Sequence, residues 1–380
     1  MKLHKKYLSI AFIGLVCLPA GCGQGGSAQS AIPSEPTTTT LPVDQYPQTQ
    51  IYFASDIDLM TRDRVRITVA AAEEIWGPVK DLEMWVTGLD PDAALTFRDE
   101  FCVIRKKTET ESMYCDYKED KNTYLFVDFA NQSKEAGKTY EDDGPLAFFQ
   151  AFSKPSGYIV MPYPHGLASK WPVPSELDQV TIFHEYFHAV QEAARNLVEA
   201  KPFADYELMT GWMKEATKTF FKYDLLEPRW FMEGLAIAMS ENYVLRLRKE
   251  GKIDVKSDKG TYSPDLITSF SGFLFETLYE VGELLEAEPN LRLKTLTDSE
   301  NGRTPYVFGI WAINYLMVES GPDVFLNNFY PAIQELGWEK AFSQAFGKSI
   351  DQFYTDFDQF IRQPNDDLIE FLVSSRVDSW

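Results

Sequence analysis

The spacing of hydrophobic residues divides the chain into two parts. Up to about residue 172, short apolar runs of strand character predict a sheet with helices beside it. The predicted strands are 51–55, 82–88, 123–129, 146–152 and 157–163, and the predicted helices are 62–78 and 91–107. From Pro174 onward, apolar residues recur every three or four positions, which is typical of helices. The predicted helices there are 175–199, 206–224, 229–249, 264–287, 305–319, 322–336, 338–346 and 350–362. This pattern predicts an α+β fold: a mixed N-terminal β-sheet layer with helices over 51–172, followed by a mostly helical half over 173–380.

The first 21 residues have the features of an export signal. Three lysines within the first six residues precede an apolar stretch, residues 7–18, which is too short for an ordinary membrane-spanning helix. The segment C-L-P-A-G-C-G follows, and its Ala20-Gly21-Cys22 resembles the end of a bacterial lipoprotein signal. The resemblance implies that Cys22 becomes the lipidated first residue of the mature protein. Proline stands where the leucine of that signal is expected, so a plain secretory signal cut nearby is the alternative.

Residues 22–50 are rich in Gly, Ser, Thr, Pro and Gln, a composition that buries too little apolar surface to fold. We expect a flexible tether that holds the body off a membrane. The protein is then exported, and we expect a membrane-anchored lipoprotein of the bacterial cell envelope. Export also exposes Cys102 and Cys115 to an oxidising compartment, which favours one disulfide between them over two unpaired buried thiols.

Composition and charge narrow the classes of partner. Hydrophobic residues make up 44% of the 380, which is enough for a sizeable core. The formal net charge is −21 and the sequence pI is about 4.6. Such a surface repels phosphate backbones, and no basic stripe offsets it, so nucleic acid is not expected as a partner.

The main candidate for chemistry is the stretch T-I-F-H-E-Y-F-H-A-V-Q, residues 181–191. On a helix, His184 and His188 project from neighbouring turns of one face, the geometry that two imidazoles need to hold one zinc ion. Glu185 lies about 100° around the helix and suits a general base rather than a ligand. Two core histidines satisfied by backbone carbonyls are the alternative. A buried helix has little reason, however, to enclose two imidazoles and a carboxylate that all need partners.

A catalytic zinc site usually has three protein ligands and one open position. Apart from the pair, the mature chain has a single histidine, His165, which is more simply a loop residue. A carboxylate is the natural third ligand, and Glu233 lies in R-W-F-M-E-G-L-A, residues 229–236, where an unpaired carboxylate would be costly. Small residues beside it, Gly234 and Ala236, would permit the close approach of two helices that share a ligand.

Together, H-E-Y-F-H-A-V-Q and W-F-M-E-G-L-A resemble the gluzincin metallopeptidases, particularly their short peptidase MA-like members. A looser likeness continues to about residue 362 through 306–316 and 345–354, so that it covers roughly half the chain. It implies a zincin-like helical half with Zn²⁺ held by His184, His188 and Glu233, and with Glu185 as the base that activates the attacking water. The 44 residues between His188 and Glu233 are a longer gap than the best-known members have.

The resemblance predicts a zinc-dependent metallopeptidase acting on a peptide or protein substrate. No G-x-M-x-N segment of the kind found in aminopeptidases of this clan is present, which favours an endopeptidase. Family members often stabilise the oxyanion with a tyrosine or histidine, and Tyr306 is a candidate for that role, although a packing role is equally compatible with the sequence. The strand at 157–163 could pair with an extended peptide or be an ordinary buried strand.

Two other functions stay open from the residues alone. One is a non-catalytic envelope lipoprotein that binds a protein or peptide on a metallopeptidase-like scaffold. The intact Glu185 argues against it, because a scaffold needs no base. The other is a structural zinc site closed by a fourth ligand, which the shortage of histidine and cysteine disfavours.

Overall fold

A four-stranded mixed sheet forms the N-terminal layer. The strands are β1 (Gln50–Phe53), β2 (Glu83–Val86), β3 (Phe148–Gln150) and β4 (Tyr158–Met161), and they lie in the order β1-β2-β4-β3. The first, second and fourth strands run parallel, whereas β3 runs antiparallel to β4. Four of the five predicted strands are therefore confirmed. Because β4 pairs with a strand on each side, it is an internal strand, and the suggestion that it pairs with a peptide is wrong for its paired residues.

The structure is a computed structural model that describes only part of the chain. The described residues are 47–106, 124–139, 148–150, 158–164, 177–195, 227–253, 256–257, 260–261, 270–296 and 303–376. All of them belong to one unit, Leu41–Trp380. Cys22, Cys115, His165, the tether up to residue 46 and the helix predicted at 206–224 lie outside them. Cys102 is buried on its helix, and its pairing with Cys115 stays a prediction, as does the signal peptide.

Among the described residues, three helices accompany the sheet: α1 (Leu59–Trp76), α2 (Pro91–Lys106) and α3 (Tyr124–Thr139). Asp58 caps the first of them by accepting a hydrogen bond from the Thr61 N–H at 2.9 Å. The central sheet residue Trp85 packs between Tyr52, whose ring is stacked on it at 4.1 Å, and Phe101, whose ring centroid lies at 5.0 Å. All four residues of β2 are buried, and these aromatic contacts of Trp85 anchor the sheet.

The prediction of a strand at 123–129 is wrong, because this segment opens α3. Phe126, Phe129, Ala130 and Ser133 are its buried residues, and their spacing is that of one helical face. Phe126 packs against Phe101 of α2 with ring centroids 5.3 Å apart. The strand prediction used only the aromatic run 123–129, whereas the helical spacing of buried residues continues beyond residue 129.

The second part of the chain is helical, as predicted. Its helices are α4 (Leu177–Arg195), α5 (Arg229–Lys249), α6 (Phe270–Ala287), α7 (Thr304–Ser320), α8 (Tyr330–Leu336), α9 (Trp338–Phe346), α10 (Ile350–Phe360) and α11 (Asn365–Arg376). A π-helical turn (Phe325–Phe329) precedes α8, where Pro331 has no N–H to donate. A two-stranded hairpin of β5 (Lys256–Ser257) and β6 (Gly260–Thr261) and the last helix, α11, were not predicted. No helix among the described residues is both long and apolar enough to cross a membrane.

Polar contacts fix helix α4 to the N-terminal layer. Arg64 of α1 forms a buried bidentate ion pair with Asp178 in the first turn of α4, at 2.6 and 2.7 Å. Nine residues before the end of α4, the Tyr186 hydroxyl donates to the carbonyl of Gly77 at 2.8 Å and accepts from the Val79 N–H at 3.2 Å. The helix that carries the two histidines is therefore held by polar contacts along its length.

An aromatic cluster holds the first turn of α5. Trp230 and Phe231 are fully buried and pack against rings from α9, α10 and the π-helical turn. The partners are Phe325, Phe329, Trp338, Phe342, Phe346, Phe353 and Tyr354. These contacts fix the position of the next turn, which carries Glu233.

Candidate metal centre

The two histidines of α4 point their Nε2 atoms at the same place. His184 Nε2 and His188 Nε2 lie 3.0 Å apart, and the two rings are nearly perpendicular, at 85°. Both side chains are largely buried, with 16% and 13% of their surface exposed. Spacing of i and i+4 on a buried helix therefore gives the convergence that the sequence predicts.

Glu233 reaches the same place from α5. Its Oε2 lies 3.5 Å from His184 Nε2 and 3.3 Å from His188 Nε2. Burial acts to raise the pKa of Glu233, but the two imidazoles hold that pKa far below its ordinary value. Burial acts to lower the pKa of His188, but the Glu233 carboxylate reverses this and raises it to about 9. Whenever no cation lies between them, His188 and Glu233 would therefore form a buried ion pair, and a cation would compete with the proton of His188.

Gln191, three residues after His188, orients that histidine and connects the two helices. Its amide Nε2 donates to the carbonyl of Met232 at 3.1 Å, so its Oε1 faces His188 Nδ1 at 2.7 Å. A carbonyl oxygen only accepts, so Nδ1 carries the proton and Nε2 is the atom available to a metal. Met232 is the residue before Glu233, so Gln191 also holds Glu233 close to the two histidines. The sequence interpretation missed this residue; a polar side chain at i+3 on a buried helix was the available signal.

Glu185 is buried beside the group, with 6% of its surface exposed. Burial raises the pKa of Glu185 above its ordinary value, the Glu233 charge adds to this, and the two histidines offset it only in part. A carboxylate with a raised pKa accepts a proton more readily near neutral pH. This is the property that a general base requires.

Helices α5 and α7 cross at two glycines close to the site. A Cβ atom on Gly234 would lie 2.4 Å from the carbonyl carbon of Gly309, and one on Gly309 would lie 2.2 Å from the Trp230 carbonyl oxygen. The close approach predicted from the small residues is therefore present, but it joins α5 to α7 rather than to the histidine helix. It brings the first turn of α7, with Tyr306, beside the first turn of α5.

Tyr306 lies between Glu233 and Arg229. The Tyr306 hydroxyl accepts a hydrogen bond from Arg229 Nη2 at 2.6 Å, and the guanidinium carbon lies 5.1 Å from the ring centroid. Burial raises the pKa of Tyr306, and the negative charge of Glu233 raises it further, so the hydroxyl keeps its proton. The sequence predicts a role for Tyr306 but not for Arg229, which is the first residue of the segment that contains Glu233.

The donor set fits a divalent metal ion. His184, His188 and Glu233 each offer one ligand atom, and these atoms all lie within 4.8 Å of one another. Two imidazoles and one carboxylate are ligands that zinc accepts readily. The group can therefore hold a metal ion, as the sequence predicts.

Comparison with known proteins adds no relative: no family model, no curated protein and no solved structure matches the chain. The likeness to gluzincins consequently depends on the two motif segments and on the looser likeness that continues to about residue 362.

Proposed function

We propose that the protein is a zinc-dependent peptidase, and that its helical half has a zincin-like arrangement. The observation that carries the proposal is the convergence of His184, His188 and Glu233 with a buried Glu185 of raised pKa beside them. A purely structural ion would need the three ligands but not the fourth side chain. Burying a carboxylate is costly, so the presence of Glu185 beside the group favours a chemical role for it.

The three ligand side chains would hold Zn²⁺, with Gln191 fixing the tautomer of His188. When bound, zinc would polarise the carbonyl of the scissile peptide bond and make the attacking water more acidic. Glu185 accepts the proton of the attacking water and later delivers it to the leaving amine. Tyr306, whose hydroxyl retains its proton, donates to the oxygen on which negative charge develops.

The proposed setting is the bacterial cell envelope, with Cys22 as the lipid anchor and a peptide or protein as substrate. The proposal extends to an endopeptidase, because no G-x-M-x-N segment is present. The rival function is a lipoprotein that binds a peptide on the same scaffold without cleaving it. It shares the metal ligands and differs in making no use of Glu185.

The deciding experiment compares wild type with Glu185→Gln. Zinc content is measured by mass spectrometry of the metal, and cleavage is measured on a diverse peptide library. Equal zinc content with cleavage reduced roughly 10²- to 10⁴-fold is the expected result, since that range is typical of a lost general base. If wild-type protein loaded with zinc cleaves nothing in the library, the binding function replaces the peptidase.

A further inference from the structure

Arg229, at the start of α5, is a cation beside the metal group that has no carboxylate within salt-bridge distance in the described part of the chain. Its Nη2 donates to the Tyr306 hydroxyl, and its Nε is buried without a hydrogen-bond partner. Glu227, the acid closest to it in sequence, accepts a hydrogen bond from the Tyr330 hydroxyl at 3.3 Å. A guanidinium has five donors, so most of the hydrogen-bonding capacity of Arg229 stays available.

Metal binding would leave the positive charge of Arg229 with less negative charge nearby. Arg229 and Glu233 are four residues apart on α5 and therefore share one face of the helix. The Glu233 carboxylate is the negative charge nearest to Arg229 on that face, and a bound cation would engage it. The positive end of a 21-residue helix lies at the same place and adds to the field. The loaded site therefore has an excess of positive charge next to the reacting bond, in a protein whose formal net charge is −21.

We propose that Arg229, held against Tyr306, binds a carboxylate of the substrate next to the scissile bond, so that the enzyme selects peptides with a negative charge at that point. This inference rests on the proposed peptidase function and names its substrate class. Arginine suits the task because its planar fork of donors matches both oxygens of a carboxylate. The carboxylate has two sources: an Asp or Glu side chain, which agrees with the proposed endopeptidase, or the free C-terminus of a peptide, which would make the enzyme a carboxypeptidase instead. The same guanidinium recognises both.

The test is cleavage of matched peptide libraries by wild type and Arg229→Gln. One library has free C-terminal acids together with Asp and Glu. A second has amidated C-termini, a third replaces Asp and Glu by Asn and Gln, and a fourth carries both changes. We expect wild type to cleave the fourth library roughly 10- to 100-fold less efficiently than the first, the range for losing a hydrogen-bonded charge partner. We expect Arg229→Gln to cleave the two equally.

The second and third libraries distinguish the sources of the carboxylate. A loss of cleavage confined to amidated termini assigns recognition of the C-terminus, and a loss confined to the Asn and Gln library assigns an acidic side chain. Arg229→Lys keeps a charge but not the fork, and we expect it to retain part of the preference. Arg246→Gln, in the last turn of the same helix and paired there with Glu250, is the control and should behave as wild type.

Binding gives a readout that is independent of turnover. In zinc-loaded Glu185→Gln, calorimetry with the best-cleaved peptide in acid and amide forms should show weaker binding of the amide. The added Arg229→Gln substitution should remove that difference while zinc content stays equal. Cleavage by wild type without regard to acidity overturns the carboxylate subsite and leaves the peptidase intact. A wild-type protein that cleaves no peptide overturns the peptidase itself.

Discussion

Glu233 Oε2 of α5 lies 3.3 Å from His188 Nε2 of α4, so that two side chains separated by 44 residues of sequence meet at one place. Their relative placement is maintained from three sides. Polar contacts bind α4 to the N-terminal layer, the aromatic cluster holds the start of α5, and Gln191 bridges the two helices. The metal group is therefore pre-formed by the fold and does not depend on a cation to bring its members together.

Zinc affinity should rise with pH. The pKa of His188 in the metal-free site is about 9, so at neutral pH this imidazole is protonated and must release a proton to bind zinc. Below that value each unit of pH should therefore strengthen zinc binding by about tenfold. Competition with a chelator of known pH dependence, between pH 6.5 and 8, measures this. An affinity that is constant over that range would contradict the ion pair.

The same pair should affect the stability of the metal-free protein. The pKa of His188 is raised from 6.5, so its contribution to stability is complete below pH 6.5 and is lost as the pH rises through about 9. Urea unfolding of metal-free wild type and His188→Gln between pH 6 and 9.5 measures the difference. We expect the difference in the free energy of unfolding between the two proteins to become smaller as the pH rises. A difference that grows with pH would contradict a raised pKa of His188.

Replacing Gln191 should weaken the metal site although Gln191 is not a ligand. Gln191→Ala removes the acceptor that fixes His188 and the bridge to Met232. Losing such an outer partner typically costs 10- to 100-fold in metal affinity. Gln191→Glu keeps an acceptor for His188 and should bind zinc more tightly than Gln191→Ala. Zinc affinity of the alanine variant equal to that of wild type would show that the bridge has no role in the site.

Glycine-to-alanine substitution should lower stability at the crossing of α5 and α7 and raise it at an open helical position. Gly309→Ala places a methyl group 2.2 Å from the Trp230 carbonyl oxygen, so α5 and α7 must separate. We expect a loss of about 1–3 kcal/mol or more in the free energy of unfolding, together with weaker zinc binding. Gly282→Ala on α6 is the matched control, because nothing lies within 4 Å of its Cβ. That variant should gain roughly 0.5–1 kcal/mol from its higher helix propensity. Equal stability of the two variants in chemical denaturation would contradict the close crossing.

Removing the Tyr306 hydroxyl separates its two conceivable tasks. If Tyr306 donates to the developing oxyanion, Tyr306→Phe should lower kcat by roughly 10²–10³-fold while zinc affinity stays unchanged. If its task is to position Glu233, zinc affinity should fall instead. The hydroxyl accepts from Arg229 and has a side-chain hydrogen bond to Glu233. Zinc on the Glu233 carboxylate would compete for that second bond and free the hydroxyl proton, so we expect the first result. Steady-state kinetics and chelator competition on one preparation decide between them.

The sequence predicted the elements whose signal is local. Helical periodicity placed α5 and α9 at their observed bounds, and the H-E-x-x-H spacing indicated His184 and His188 with Glu185 beside them. The cost of an unpaired carboxylate indicated Glu233. Prediction from the sequence failed where the deciding contact is made by another element. Residues 123–129 have the sequence character of a strand, and the packing of Phe126 on α2 explains why they form a helix. The role of Gln191 depends on its hydrogen bond to Met232, which no sequence spacing indicates. Arg229 likewise gains its meaning only from Tyr306, which is 77 residues further along the chain.

The most direct measurement is X-ray diffraction from crystals of the protein purified without chelators, with anomalous data on either side of the zinc absorption edge. We expect a single zinc peak within coordination distance of His184 Nε2, His188 Nε2 and a Glu233 carboxylate oxygen, and we expect its loss in Glu233→Gln. Glu250→Gln, beyond the far end of α5, should retain the peak. A protein that contains no zinc, or a zinc peak from which the Glu233 carboxylate points away, would contradict a zinc site formed by His184, His188 and Glu233.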